Sequence, residues 1–102
     1  NAFEGINVKE FCIFAANFIW PAKELGEEML VLAIRLETGQ EFSEALKQEI
    51  DQRNRKLPDF KRVGGYVLWE RDFPRTASMK IKREMLAQEI SKALSRAAMV
   101  QL

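Results

Sequence analysis

The stretch MLVLAIRLE, residues 29–37, limits the possible folds more than any other part of the sequence. Its apolar side chains occupy both alternating faces as far as Arg35, whereas a strand with one face in water alternates apolar and polar residues. We therefore expect this strand to lie inside a sheet that is covered on both sides. A chain of 102 residues can bury one layered core of this kind, and it leaves no room for a second domain.

Two further segments predict strands. Residues 8–16, VKEFCIFAA, are dense in aromatic and branched apolar side chains, and residues 66–70, YVLWE, form a shorter segment of the same type. Pro21 and Gly26 indicate an irregular turn between the first strand and the central one. The sequence therefore predicts three strands.

Two segments have the period of an amphipathic helix. In residues 41–54 the positions Phe42, Leu46, Ile50 and Arg53 recur at a spacing of three or four, and Pro58 should end this helix by residue 57. Residues 82–97 keep a similar spacing to the C-terminal region. We expect an α+β fold, a small three-stranded sheet packed with two or three helices. Its core should include Leu32, Ile34, Leu46, Ile50 and Leu86.

Composition excludes several kinds of chemistry. The chain contains no histidine, and Cys12 is its only cysteine. An internal disulfide, a cysteine-built zinc site and any nucleophile–histidine pair are therefore impossible within it. Cys12 lies among apolar neighbours and should be a small buried residue. We expect no metal site.

The charge balance and hydropathy also limit the partners. Sixteen basic and 15 acidic residues give a net charge of +1, which does not indicate a polyanion partner. No apolar stretch is long enough to span a membrane, so we expect a cytoplasmic chain without a membrane span, and we expect no nucleic-acid partner. The first residue is not methionine, and we expect the chain to be a piece excised from a longer protein.

The segment RNRKLPDFKR, residues 53–62, has two interpretations. Its five basic residues and Phe60 could bind phosphates and stack on a base, which would make the chain a free-standing RNA-binding or protein-docking module. Alternatively, the cations offset the dipole at the end of a helix and continue into a solvated loop, which is the interpretation we favour. A further alternative is docking onto a partner through Trp20 and Trp69.

The loop FPRTASMKIKREML, residues 73–86, presents Lys80 just before a predicted helix. A lysine on a loop can supply fixed positive charge where oxyanion charge accumulates, and Thr76 and Ser78 are small enough to allow close approach to a ligand. In the alternative, Ser78 caps the helix and Lys80 points into water. Composition and spacing leave both open.

The end of the chain resembles the C-terminal domain of adenylate-forming enzymes, the superfamily of acyl- and aryl-CoA synthetases, nonribosomal peptide adenylation domains and luciferases. Residues 57–61, LPDFK, are similar to its leucine-proline-aspartate-tyrosine-lysine loop, and residues 74–86 to its pattern L-P-R-T-x-S/T-G-K-I-x-R-x-x-L. Residues 23–39 resemble its ELGE turn and the following strand. Met79 stands where the family has glycine, and because methionine takes positive φ less readily, we expect a reshaped lysine loop.

The resemblance implies that residues 1–102 are the C-terminal lid of an AMP-forming ligase whose large N-terminal domain is absent. Lys80 would be the catalytic adenylation lysine, and Lys80, Thr76 and Ser78 would contact the nucleotide. The implied cofactors are ATP and Mg²⁺, bound with the N-terminal adenylation domain of the same polypeptide. The substrate would be a carboxylic acid, and the acceptor CoA or a carrier-protein thiol. Family abundance favours an acyl-CoA synthetase, of the kind used in fatty acid metabolism, and we expect the isolated domain to be inactive.

Overall fold

The computed structural model describes residues 2–21 and 29–102, and a four-stranded mixed sheet forms their centre. The strands lie across the sheet in chain order: β1 (Glu10–Ala15), β2 (Leu30–Arg35), β3 (Val63–Leu68) and β4 (Val100–Gln101). β1 and β2 are antiparallel, β2 and β3 are parallel, and β4 is antiparallel to β3. The prediction of an α+β fold agrees with this arrangement.

The prediction of a three-stranded sheet is wrong, because β4 adds a fourth strand. β4 has only two residues and no apolar period, so its sequence carries no strand signal. It forms because Gln101 pairs with Gly65 and Val100 with Tyr66. A Cβ atom at Gly65 would lie only 2.8 Å from the Val100 carbonyl oxygen, so the close approach of β4 requires glycine there. β3 itself begins at Val63, three residues earlier than predicted.

Within the described residues, three α-helices flank the sheet: α1 (Ala16–Ile19), α2 (Glu44–Arg55) and α3 (Arg83–Ala93). The same part of the chain also contains two short 3₁₀ helices, Asp59–Lys61 and Arg96–Ala98. α2 begins after Ser43, whose Oγ accepts a hydrogen bond from the Leu46 amide at 3.1 Å, and it ends before residue 57 as predicted.

The other two helices differ from the prediction. α3 ends at Ala93 rather than 97, because Leu94 takes an extended conformation. The Leu94 carbonyl accepts a hydrogen bond from the Trp20 indole Nε1 at 2.8 Å. α1 lies where an irregular turn was predicted; Pro21 follows it, whereas Gly26 lies outside the described residues.

Both faces of the sheet are covered, as residues 29–37 predict. α1 and α3 pack on one face, in a cluster that contains Phe14 and Val31 of the sheet and Leu86 of α3. α2 packs on the other face, against alternate side chains of the same strands. All five predicted core residues are buried: Leu32, Ile34, Leu46, Ile50 and Leu86.

Candidate catalytic loop

Lys80 lies in a small hairpin between β3 and α3. Arg75 and Ile81 form an isolated antiparallel bridge, and the Thr76 amide donates a hydrogen bond to the Lys80 carbonyl at 2.8 Å. The Lys82 amide donates to the Pro74 carbonyl at 2.8 Å, which closes the base of this turn. Residues 74–82, here named the Lys80 hairpin, therefore have a defined backbone, and Lys80 is exposed on it.

The tip of the Lys80 hairpin contains a residue in the left-handed region. Met79 has a φ of 68°, and its amide donates to the Thr76 carbonyl at 2.9 Å. The Thr76 hydroxyl accepts a hydrogen bond from the Lys80 amide at 3.2 Å and lies 3.1 Å from the Ser78 hydroxyl. Met79 therefore takes the backbone conformation that glycine adopts most readily, and the methionine side chain does not force the turn out of it.

The two hydroxyls of the hairpin serve its internal hydrogen bonding. Thr76 closes the turn around Lys80, and Ser78 contacts Thr76. Ser78 does not cap α3, because that helix begins at Arg83 and Lys82 occupies the N-cap position. Of the two interpretations of Ser78, the helix cap is thus wrong.

Arg75 connects the hairpin to the sheet. Its Nη1 donates to the Met79 carbonyl at 2.6 Å, and its Nη2 donates to Glu10 Oε1 at 2.8 Å. Glu10 lies on β1 with its side chain 13% exposed. It also accepts hydrogen bonds from Arg35 Nη1 at 2.9 Å and from the Phe73 amide at 3.3 Å. Three donors, one from β2 and two from residues 73–75, therefore converge on one carboxylate.

These donors keep the Glu10 carboxylate ionised. Burial raises the pKa of Glu10, but the hydrogen bonds from Arg75, Arg35 and the Phe73 amide outweigh burial, and the pKa lies below its ordinary value. The hydrogen bond between Arg35 and Glu10 is also the main cause of a raised pKa at Arg35. Sequence reasoning missed Glu10, although a carboxylate directly before the apolar run FCIFA is an unusual neighbour for a buried strand.

Arg83 fixes the start of α3 to β1. Its guanidinium lies 4.7 Å from the centre of the Phe14 ring, its Nη1 contacts Cys12 Sγ at 2.9 Å, and its Nη2 donates to the Ile13 carbonyl. Cys12 is 4% exposed, which confirms the prediction of a buried residue. Burial raises the pKa of the Cys12 thiol, and the nearby Arg83 charge reduces this effect.

Part of the basic segment 53–62 makes hydrogen bonds within the fold. Arg53 donates to the Ala2 and Glu4 carbonyls at 3.2 and 2.5 Å, which holds the start of the chain against α2. Arg62 donates to the Leu57 and Arg55 carbonyls at 2.8 and 2.9 Å. The arginines at both ends of the segment therefore satisfy backbone carbonyls, which supports the structural interpretation.

The tryptophans do not form an exposed docking surface. Trp69 is 4% exposed and lies in the cluster beneath α3. Trp20 is half-buried, and its indole donates to Leu94. The exposed aromatic residues are others: Phe18 is 50% exposed and Phe60 79%.

Comparison with known proteins identifies no family for this chain. No family model matches the chain, no curated protein matches it significantly, and no solved structure does so either.

Within residues 2–21 and 29–102, no three acidic or cysteine side chains lie close enough together to hold a metal ion. No helix in the same part of the chain has the length and apolar character to cross a membrane.

Proposed function

We propose that this chain is the mobile C-terminal lid of an ATP-dependent, AMP-forming acid–thiol ligase of the acyl-CoA synthetase type, and that Lys80 is its adenylation lysine. The observation that carries the proposal is the placement of Lys80. Its backbone is held by Thr76, and among the described residues its ammonium group has no ion-pair partner. A fixed backbone with an available cation suits a residue that meets its ligand only when the lid closes.

The chemistry requires a cation of this kind. When a carboxylate attacks ATP to form an acyl-adenylate, the bond to pyrophosphate breaks and negative charge accumulates on phosphate oxygens. A positive group that is already oriented stabilises this charge without reorganisation during the reaction. Lys80 supplies the charge, while ATP, Mg²⁺ and the acid bind with the N-terminal adenylation domain of the same polypeptide. CoA or a carrier-protein thiol is the acceptor in the second step.

The hairpin distinguishes Lys80 from the lysines around it. Lys82 occupies the N-cap position of α3, and its amide closes the base of the hairpin. Lys80 lies two residues earlier, beside the left-handed turn at Met79. The sequence motif and the position beside the turn both favour Lys80 over Lys82, which supports the proposal.

The test measures the two half-reactions separately in the full-length polypeptide. Lys80→Ala should reduce carboxylate-dependent exchange of pyrophosphate into ATP by about 10²–10³, the typical effect of losing one preorganised donor to an oxyanion. Thiol transfer from a supplied acyl-adenylate should largely persist, since a rotated lid presents a different face. The variant should still fold, because Lys80 is exposed and its side chain buries little.

Lys82→Ala is the matched control, since Lys82 is also an exposed lysine of the same segment. It should change both half-reactions only slightly. If Lys80→Ala leaves exchange within a few-fold of wild type, or lowers both half-reactions equally, the assignment of Lys80 to adenylation is wrong.

A further inference from the structure

We infer that Glu10 is the positioning residue of the Lys80 hairpin: its carboxylate fixes Arg75, and Arg75 holds the Met79 carbonyl, whose peptide bond leads directly into Lys80. Each step is a short polar contact, 2.8 Å from Arg75 Nη2 to Glu10 and 2.6 Å from Arg75 Nη1 to Met79. The contacts join β1 to the hairpin across 65 positions of sequence. This inference rests on the contacts alone, and only its consequence for catalysis rests on the proposed function.

Glu10 is a suitable anchor because the sheet holds it in place. It pairs with Arg35 in the register of β1 and β2, and the Arg35 guanidinium also donates to its carboxylate. The second guanidinium nitrogen of Arg35, Nη2, lies 2.5 Å from Asp72 Oδ1. The Arg35 guanidinium is therefore held between two carboxylates. The position of the Glu10 oxygens is therefore set by the pairing of β1 with β2 and by Arg35, independently of Arg75.

The hairpin needs such an anchor because its tip is strained. Met79 is in the left-handed region, where a residue with a Cβ atom is disfavoured. The hydrogen bond from Arg75 to the Met79 carbonyl opposes relaxation of this peptide. Without Glu10, the Arg75 side chain, which is 32% exposed, would be free to turn into water and would no longer hold Met79.

Amide hydrogen exchange in the 102-residue chain tests the inference without any nucleotide. The reporters are the hydrogen-bonded amides of the hairpin, Thr76, Met79 and Lys82. Glu10→Gln keeps the shape of the side chain but removes its charge, and it should speed exchange at these amides by about tenfold relative to the amides of β2. Normalising to β2 separates local loosening of the hairpin from any loss of global stability.

Two controls isolate the link through Arg75. Glu49→Gln breaks another carboxylate–arginine pair, the 3.0 Å contact with Arg53 on α2, and should leave the hairpin amides unchanged. Asp72→Asn weakens the hold on Arg35 but leaves the contact between Glu10 and Arg75 in place, so its effect should be smaller than that of Glu10→Gln.

The decisive variant is Arg75→Gln, which should remain folded because Arg75 is partly exposed. If Glu10 acts through Arg75, this variant should reproduce the effect of Glu10→Gln, and the double variant should exchange no faster than either single one. Exchange within twofold of wild type in Arg75→Gln, or additive effects in the double variant, would overturn the inference. Neither result depends on whether Lys80 acts in adenylate formation, so the two proposals fail separately.

The pH dependence of stability provides a second test of the inference, and the direction of the change can be stated in advance. Because the pKa of Glu10 is lowered by folding, its contacts stabilise the folded chain above the unfolded pKa of about 4.3, and this contribution is lost as the pH falls through the lower folded-state pKa. The difference in urea midpoint between the wild type and Glu10→Gln should therefore shrink as the pH falls below about 4.3. Both chains should carry Asp72→Asn, so that the carboxylate of Asp72, which contacts Arg35, does not contribute to the difference. A difference that does not change with pH would contradict an ionised anchor.

Discussion

The backbone conformation of Met79 costs the folded state free energy. Its φ of 68° brings the Cβ atom towards the following carbonyl, at a cost of about 1–2 kcal/mol, whereas glycine at this position would lose about 0.5–1 kcal/mol in backbone entropy. The Met79 side chain is 67% exposed, so its removal sacrifices little buried apolar surface. Met79→Gly should therefore raise the free energy of unfolding by up to about 1 kcal/mol, as measured by urea denaturation.

Met79→Ala is the control, because alanine removes the long side chain but keeps the Cβ atom. It should not stabilise the chain. If alanine and glycine have the same effect, the methionine side chain and not the backbone conformation is responsible, and the strain argument fails.

At the scale of the element, α2 depends on its N-cap. Ser43 Oγ accepts the hydrogen bond from the Leu46 amide, one of the donors that have no partner within the helix. Ser43→Ala should lower the free energy of unfolding by about 1 kcal/mol, as measured by urea denaturation. Because α2 covers a whole face of the sheet, the loss at its first turn should appear in global stability.

Ser95 offers a matched comparison. It occupies the N-cap position of the 3₁₀ helix Arg96–Ala98, but its side chain makes no capping hydrogen bond. Ser95→Ala should therefore change stability by less than about 0.5 kcal/mol. Equal losses in the two variants would mean that the capping hydrogen bond of Ser43 contributes nothing of its own.

At the scale of the whole molecule, one sheet joins two cores. Ile50 lies in the core under α2 and Ile90 in the core under α3, and both are fully buried. Ile50→Ala and Ile90→Ala should each lower the free energy of unfolding by about 2–5 kcal/mol, because each leaves a cavity that the surroundings fill only partly. Met85→Ala, at a position that is 45% exposed on α3, should cost less than about 1 kcal/mol.

The optical probes distinguish one cooperative unit from two. Both tryptophans, Trp20 and Trp69, pack in the core under α3, whereas far-ultraviolet circular dichroism reports on all the helices and strands. If the domain unfolds in one step, Ile50→Ala should shift the fluorescence and dichroism transitions equally, although Ile50 lies on the opposite face. A shift in dichroism alone would show that the α2 face unfolds by itself.

Several features could be predicted from the sequence because they depend on local patterns. The apolar run of β2 requires cover on both faces, and the spacing of Leu46 and Ile50 requires a helix with one buried side. Placing Lys80 between a strand and a helix also needed only the pattern around Pro74. Such features follow from the period of side chains along one segment, which a single sequence displays directly.

Other features were decided by contacts between distant segments. Gly64 and Gly65 indicate a loop by themselves, yet both belong to β3, because the absence of side chains there makes room for Met29 and Met99 and lets β4 pair at the edge. In the sequence, Glu10 is only a charged residue at the start of a strand. In the folded chain, Arg35, the Phe73 amide and Arg75 all donate hydrogen bonds to its oxygens. The sequence alone determined which segments could be buried, since burial depends on the local pattern of apolar side chains. The tertiary structure alone decided which groups meet at the Lys80 hairpin, because hydrogen bonds across 63 or 65 positions leave no periodic signal in the chain.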